Sequence, residues 1–442
     1  MYSRLQISFP EIKQADIRSA IDCLDECKQS GAPRYGFAYP YFAPGGGYGA
    51  QWWQLDSSLA LSGYKWVDRE FAERALKNFI ESQKDDGRIC LWGADVIPGE
   101  VAGKNFPKQT EGVSSLPKLF DVAYHILKGT KDAELKRAAY NMMKRYLDWW
   151  FSARLDEESG LISAVFEETF VPYLGRAGEY APVDTNVEVY VGCYCTEEVA
   201  IELGLADDAA LIKARREKLK ESINKYLWDD EIGAYFPYSL KDKRRINKLM
   251  ASTLFPLRMQ IADEDKRRRL IELMLTDEHF GWNSIPLTSL SMKDPEFTIT
   301  EGAYQGNASW SGSVWTLINE TVVRGLSDCG EDRLAAELAM KTVSVFKNNF
   351  CEFINPKDGK GHGVKRYAWS ASQFLELIIE TVLGISYNAT SGSVSITPRL
   401  TEELEDSFIE LRGLKLSSNK TASVVLDRGV ASVEIFEDKR ER

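Results

Sequence analysis

Residues 309–356 read SWSGSVWTLINETVVRGLSDCGEDRLAAELAMKTVSVFKNNFCEFINP. Two helical segments, 309–325 and 332–348, are split by a short turn and followed by a turn-rich loop. The loop carries a single Glu, Glu352, with Trp310 and Trp315 before it and Trp369 after it. Aromatic faces beside a carboxylate suit a sugar, whose C–H faces stack on rings and whose hydroxyls need charged acceptors. The same residues also read as helix core and a solvated loop acid. What separates the two readings is whether helix, turn, helix, long loop recurs along the chain.

It recurs through about residue 384. Residues 12–31 form a first helix, with Ile17, Ala20, Ile21 and Leu24 on its apolar face. The spacing predicts further helices at 56–63, 68–84, 116–127, 133–154, 184–203, 207–227, 249–260, 264–275 and 370–383. Asp68 is placed as an N-cap and Gly87 as a stop. About twelve helices paired in this way predict an all-α (α/α)6 toroid, with an inner ring, an outer ring and long loops at one end. An open α-solenoid is the alternative, but it rarely needs long, aromatic, Gly-rich loops. One such loop, FAYPYFAPGGGYG at 37–49, lacks the Lys-Ser/Thr of a phosphate-binding loop and leads straight into Trp52, Trp53 and Asp56. It is therefore expected to line the site. After residue 383 short alternating runs at 393–398, 409–411, 423–426 and 431–435 predict a small antiparallel sheet packed on the barrel. The expected division is a barrel domain, 1–384, and a small β-rich segment, 385–442.

Composition bounds the function. With 44% hydrophobic and 27% charged residues the chain is of ordinary globular type. A net charge of −11 and no long Lys/Arg block argue against a nucleic-acid partner. Eleven Trp and 19 Tyr with an acidic balance suit a carbohydrate partner. The seven Cys are odd in number and scattered, without paired zinc spacing, so no metal is expected and reduced thiols in the cytoplasm are the simplest reading. No apolar run of signal-peptide length opens the chain and none reads as a membrane span. Only three His are present, which disfavours histidine chemistry, and no cofactor is called for.

Five segments, in order, resemble the six-hairpin glycosidases, and most closely the glycoside hydrolase family 63 and trehalase-like clan. They are Trp52-Trp53-Gln54-Leu55-Asp56 with the Gln83–Ile89 turn; Tyr146-Leu147-Asp148-Trp149-Trp150; Val183-Asp184-Thr185-Asn186; Trp310-Ser311-Gly312-Ser313-Val314-Trp315 with Asn319; and Glu352-Phe353-Ile354-Asn355-Pro356 with Trp369. The resemblance implies an inverting glycoside hydrolase acting on an α-glycoside. One carboxyl would protonate the leaving oxygen while another, roughly 6.5–9.5 Å away, activates water. It implies that Glu352 is the general base, and that Trp53, Asp56, Trp310, Trp315 and Trp369 bind the sugar. Asp56 could also serve as an N-cap.

The acid is where the chain departs from the clan. The clan's Asp-bearing run is here Phe166-Glu167-Glu168-Thr169-Phe170, with no Asp. Glu168 is the first candidate for the acid, with Glu167 beside it as a substrate-binding residue or as the acid itself, then Glu179. Glu352 is expected to share one pocket with Asp56, Trp310 and one of Glu167 and Glu168. Arg88, Lys104, Arg176, Lys365 and Arg366 lie in the loops expected to ring the site; inward-pointing, they would suit an anionic sugar such as a uronate or a glycerate-bearing glycoside. The alternatives are a non-catalytic carbohydrate-binding toroid, a sugar isomerase or epimerase, which would need a histidine pair where only His362 lies in a site loop, and a lyase built on Tyr367 and His362.

Overall fold

The computed structural model describes residues 5–32, 36–93, 112–165, 167–171, 178–300, 308–347 and 349–437. Its helices run in chain order as α1 (Gln14–Cys27), α2 (Gln54–Tyr64), α3 (Arg69–Glu81), α4 (Leu119–Lys128), α5 (Ala133–Ala153), α6 (Val183–Glu202) and α7 (Ala206–Ser222). A 3-10 segment, Ala251–Gln260, is followed by α8 (Glu264–Leu275), the one-turn α9 (Asp277–Phe280), α10 (Thr316–Asp328), α11 (Asp332–Phe346) and α12 (Ala368–Glu376).

Packing closes these into a ring. Helix α2 lies against α4, α4 against α6, α6 against the 3-10 segment, that segment against α10, α10 against α12, and α12 back against α2. Outside them, α3 packs on α2, α5 on α4, α7 on α6, α8 on the 3-10 segment, α11 on α10, and α1 on α12. The open solenoid is thereby excluded. Burial follows position: α6, on the inside, is buried on nearly every side, whereas α7 outside it buries only Ala209, Ile212 and Leu219. Asp68 and Asp132 cap α3 and α5, each accepting a backbone N–H from three residues on, at 3.0 and 2.9 Å. Each such cap is worth about 1 kcal/mol.

Three expectations need correction. The chain is not all-α: among the described residues the strands form six small sheets. The inner element predicted at 249–260 is 3-10, because Pro256 removes a backbone donor and Met259 sits at φ +48°. Strand Gln6–Ser8 pairs with Phe408–Ser417, so the N-terminal end completes the C-terminal sheet instead of the barrel. That sheet continues antiparallel through Lys420–Asp427 to Val430–Glu437. Leu411, Leu414, Val424 and Leu426 belong to the same continuous core as the ring.

Residues at or just before the starts of α2, α10 and α12 line one pocket, and residues at or just after the ends of α2, α4 and α10 line a separate cleft at the far end. Buried charge pairs occupy the middle and the far end. Lys118 bridges Glu188 and Glu320 at 3.3 and 3.4 Å, Arg258 joins Asp121 to Asp328, and Arg324 pairs with Glu320 and Glu376. The first turns of α2 and α12, and Trp315 just before α10, line the candidate site.

Candidate active site

Glu352 sits on strand Cys351–Ile354, paired antiparallel with Gly361–Lys365. The ladder shifts register between His362 and Lys365. The cause is Gly363, at φ +71°: a Cβ there would stand 2.6 Å from Glu352 Oε2. The bare backbone folds over the carboxylate, and the Val364 N–H donates to Oε2 at 3.0 Å. Oε1 accepts the Tyr48 hydroxyl at 2.8 Å. Tyr48 ends the Gly-rich loop, which makes a 3-10 turn at Gly46–Tyr48. Cβ atoms on Gly45 and Gly47 would come within 2.9 and 2.8 Å of the Val364 methyls. The glycines thus let this loop lie on the Glu352 hairpin.

Asp56 enters from the first turn of α2, whose N-cap is Trp53, so capping is not its task. Its Oδ1 accepts the Tyr367 hydroxyl. Burial pushes both acids up, Asp56 to about 7 and Glu352 to about 7, against the hydrogen bonds that favour their charged forms. Around them Trp310 stacks on Trp315 at 3.7 Å, and Trp369 lies 5.8 Å from Trp315. Tyr367 meets the Trp369 edge at 5.1 Å, and Tyr48 meets Trp53 at 5.5 Å. One pocket is lined by Asp56, Glu167, Glu352, Trp53, Trp310, Trp315 and Trp369, together with Tyr48, Tyr367, Leu55, Leu91 and Ser115. A cleft of about 800 Å³ opens at the far end of the ring, but each carboxylate lining it has a cationic neighbour.

The two adjacent glutamates part company. Glu168, the first candidate for the acid, does not line the pocket. It is fully buried and bound by Arg154 through two hydrogen bonds of 2.7 Å, with the Ser114 and Val165 N–H groups completing its oxygens at 2.9 and 3.1 Å. Such a carboxylate braces its loop and has no lone pair left for a substrate. Glu167 adopts φ +70°, unusual for a residue with a Cβ, and lines the pocket. Its carbonyl is held by the Leu116 N–H at 2.9 Å. Glu179 lies outside the pocket lining.

The motif polar residues hold these loops. Asp184 accepts from the Thr169 hydroxyl and from the Phe170 and Thr185 N–H groups. Asn186 grips Ile162 through both its N–H and its carbonyl, and Asn319 does the same to Leu287. Tyr48 and Tyr367, with Leu55, Leu91 and Ser115, are the lining residues that sequence reading does not single out as sugar-binding; the two tyrosines are the ones that touch the acids. The Gly-rich loop signals the first; the second stands out in sequence only as a lyase residue. Of the basic residues, Arg88 is buried and donates to the Val113 carbonyl, and Arg366 pairs with Glu26. Neither they nor the exposed Lys365 line the pocket. Lys104 and Arg176 lie outside the described residues.

Residues 49–169 and 171–370 match the mannosylglycerate hydrolase MGH1-like glycoside hydrolase domain. A mannosylglycerate hydrolase of Rubrobacter radiotolerans is 28% identical over 180 residues, 40% of this chain and 39% of that one. The chain spans less than half the length of the curated relatives it matches. Among solved structures, a GH63 mannosylglycerate hydrolase from Thermus thermophilus in complex with glucose superposes with a TM-score of 0.68 at 20% identity. The match covers 82% of this chain and 99% of that one. Neutral trehalase Nth1 of Saccharomyces cerevisiae follows at 0.59 and 17%, covering 77% and 73%. At these identities the likeness speaks for the α/α toroid alone.

Proposed function

Because this chain belongs to the mannosylglycerate hydrolase MGH1-like glycoside hydrolases, we propose that it cleaves the glycosidic bond of a small α-glycoside with inversion. Glu352 is the general base and Glu167 the general acid. The catalytic unit is the barrel, from α1 to about residue 384. The observation that supports this is the single pocket in which Asp56, Glu167 and Glu352 stand among stacked tryptophans.

The roles follow from the surroundings. The hydrogen bonds from Tyr48 and the Val364 N–H offset part of the push that burial exerts on Glu352, and once ionised, above about 7, it draws a proton from the attacking water. Glu167, on the loop braced by Glu168 and Asp184, gives its proton to the leaving oxygen. Asp56 accepts hydroxyls of the sugar, and Trp53, Trp310, Trp315 and Trp369 offer it apolar walls. The family's description suggests a glycerate-like aglycone, for which Lys104 and Arg176 remain the cationic candidates. Seven free thiols suit a cytoplasmic setting. Among the described residues no helix is long and apolar enough to cross a membrane.

The test is a panel of mannosylglycerate, glucosylglycerate, trehalose and aryl α-mannosides, with the first-formed anomer read by proton NMR. Release of the β-anomer from an α-glycoside supports the reading. No release from any of them would favour a binding toroid. Since Glu352 must be ionised, kcat/KM is expected to rise with pH through about 7. Tyr48→Phe removes a bond to the carboxylate and should move that limb up by about one pH unit. An unmoved limb would count against Glu352 as the titrating base.

A further inference from the structure

Among the described residues, strand Val430–Glu437 is a free edge of the four-stranded sheet, and every residue along it is exposed. Its neighbour Lys420–Asp427 buries Ala422, Val424 and Leu426 on the body of the protein. Ala431, Val433 and Ile435 sit beside these three, on the same face. The apolar face therefore runs on past the body with nothing beneath it among the described residues. Val430 is 73% exposed, Val433 37%, Ile435 44% and Phe436 47%. The strand carries no Pro, no Lys and no break in its ladder with the neighbouring strand, and its charges are limited to Glu434 and Glu437.

We propose that this edge pairs antiparallel with the same edge of a second copy, joining two four-stranded sheets across a two-fold axis at Val433. The pattern of the strand is self-complementary there. An axis on Val433 sets Val430 opposite Phe436, Ala431 opposite Ile435, Ser432 opposite Glu434, and Val433 opposite itself. Apolar residues meet apolar ones and no like charges face each other. Moving the axis to Glu434 sets that carboxylate against its own copy and Ala431 against Glu437. Moving it to Ser432 opposes Val430 with Glu434 and shortens the ladder. An axis between residues is forbidden, because the pleat would oppose side chains on different faces. Glu437 already has a partner, since Lys420 reaches it at 2.9 Å.

The chain of residues 1–442 is expected to sediment as a dimer at micromolar concentration. Val433→Lys should lose the dimer and keep its circular dichroism spectrum and hydrolytic rate. Register is tested by cysteine cross-linking. Opposed residues lie about 4.5–5.5 Å apart at Cα, within disulfide reach. Val433→Cys should oxidise to a linked dimer, and Val430→Cys should link only when mixed with Phe436→Cys. The native thiols are buried or half-buried, so the unaltered chain serves as the blank. A monomer at these concentrations, leaving the edge to a strand of some other protein, overturns the proposal. So does faster linking through Glu434→Cys than through Val433→Cys.

Discussion

Glu352→Gln is expected to lower kcat by about 10³-fold or more, within the range for loss of a positioned general base, while substrate still binds. The amide keeps the shape of the carboxyl and can still accept from Tyr48, so the pocket should survive. The same substitution should raise stability at high pH. Folded Glu352 takes up its proton near 7, well above an ordinary carboxyl. Between those values the folded state holds more protons than the unfolded state, so stability falls as pH rises through this window. Below it the wild type carries no penalty; above it the full cost of a buried charge is present. Thermal unfolding should therefore show the variant more stable than the wild type at pH 8, with the gap closing toward pH 4. A variant that turns over normally would remove Glu352 from the chemistry. One that is equally stable at both pH values would show that burial does not strain it.

The second large contrast is between neighbours. Glu167→Gln should cut kcat by about 10²- to 10⁴-fold on substrates with poor leaving groups. It should do much less on activated aryl glycosides, whose leaving oxygen needs little help. Its effect on stability should be small. Glu168→Gln should do the reverse. It breaks a buried pair and leaves the Arg154 guanidinium, only 10% exposed, without its counter-charge. Breaking such a pair costs about 3–5 kcal/mol, read as a lower melting temperature before any kinetic defect. If instead Glu168→Gln silences a fully stable enzyme, the acid assignment changes hands.

Much of the architecture is legible in the sequence because its causes are local. Period-3.6 apolar residues, Asp caps and glycine stops act within a turn of themselves, so helices and hairpins can be read directly. The exception at 249–260 is also local, since Pro256 stands inside a sequence that otherwise scans as helix. The strand at Gln6–Ser8 escapes such reading because three residues carry no pattern; its partner lies some four hundred positions away.

The site divides along the same line. Sequence alone pointed to a carboxylate among tryptophans at the head of a ring of hairpins, since Glu352 is the one Glu in its loop and Trp53, Trp310 and Trp369 lie at or near the starts of inner helices. Which of two consecutive glutamates faces that space depended on things sequence does not display. Arg154 and Ser114 arrive from elsewhere to bind Glu168, and the backbone at Glu167 turns left-handed to aim the other side chain inward. Tyr48 reaches Glu352 across 304 positions, through glycines whose missing side chains let one loop rest on another. Pattern follows from forces between near neighbours along the chain; orientation within the pocket follows from contacts that exist only once the ring has closed.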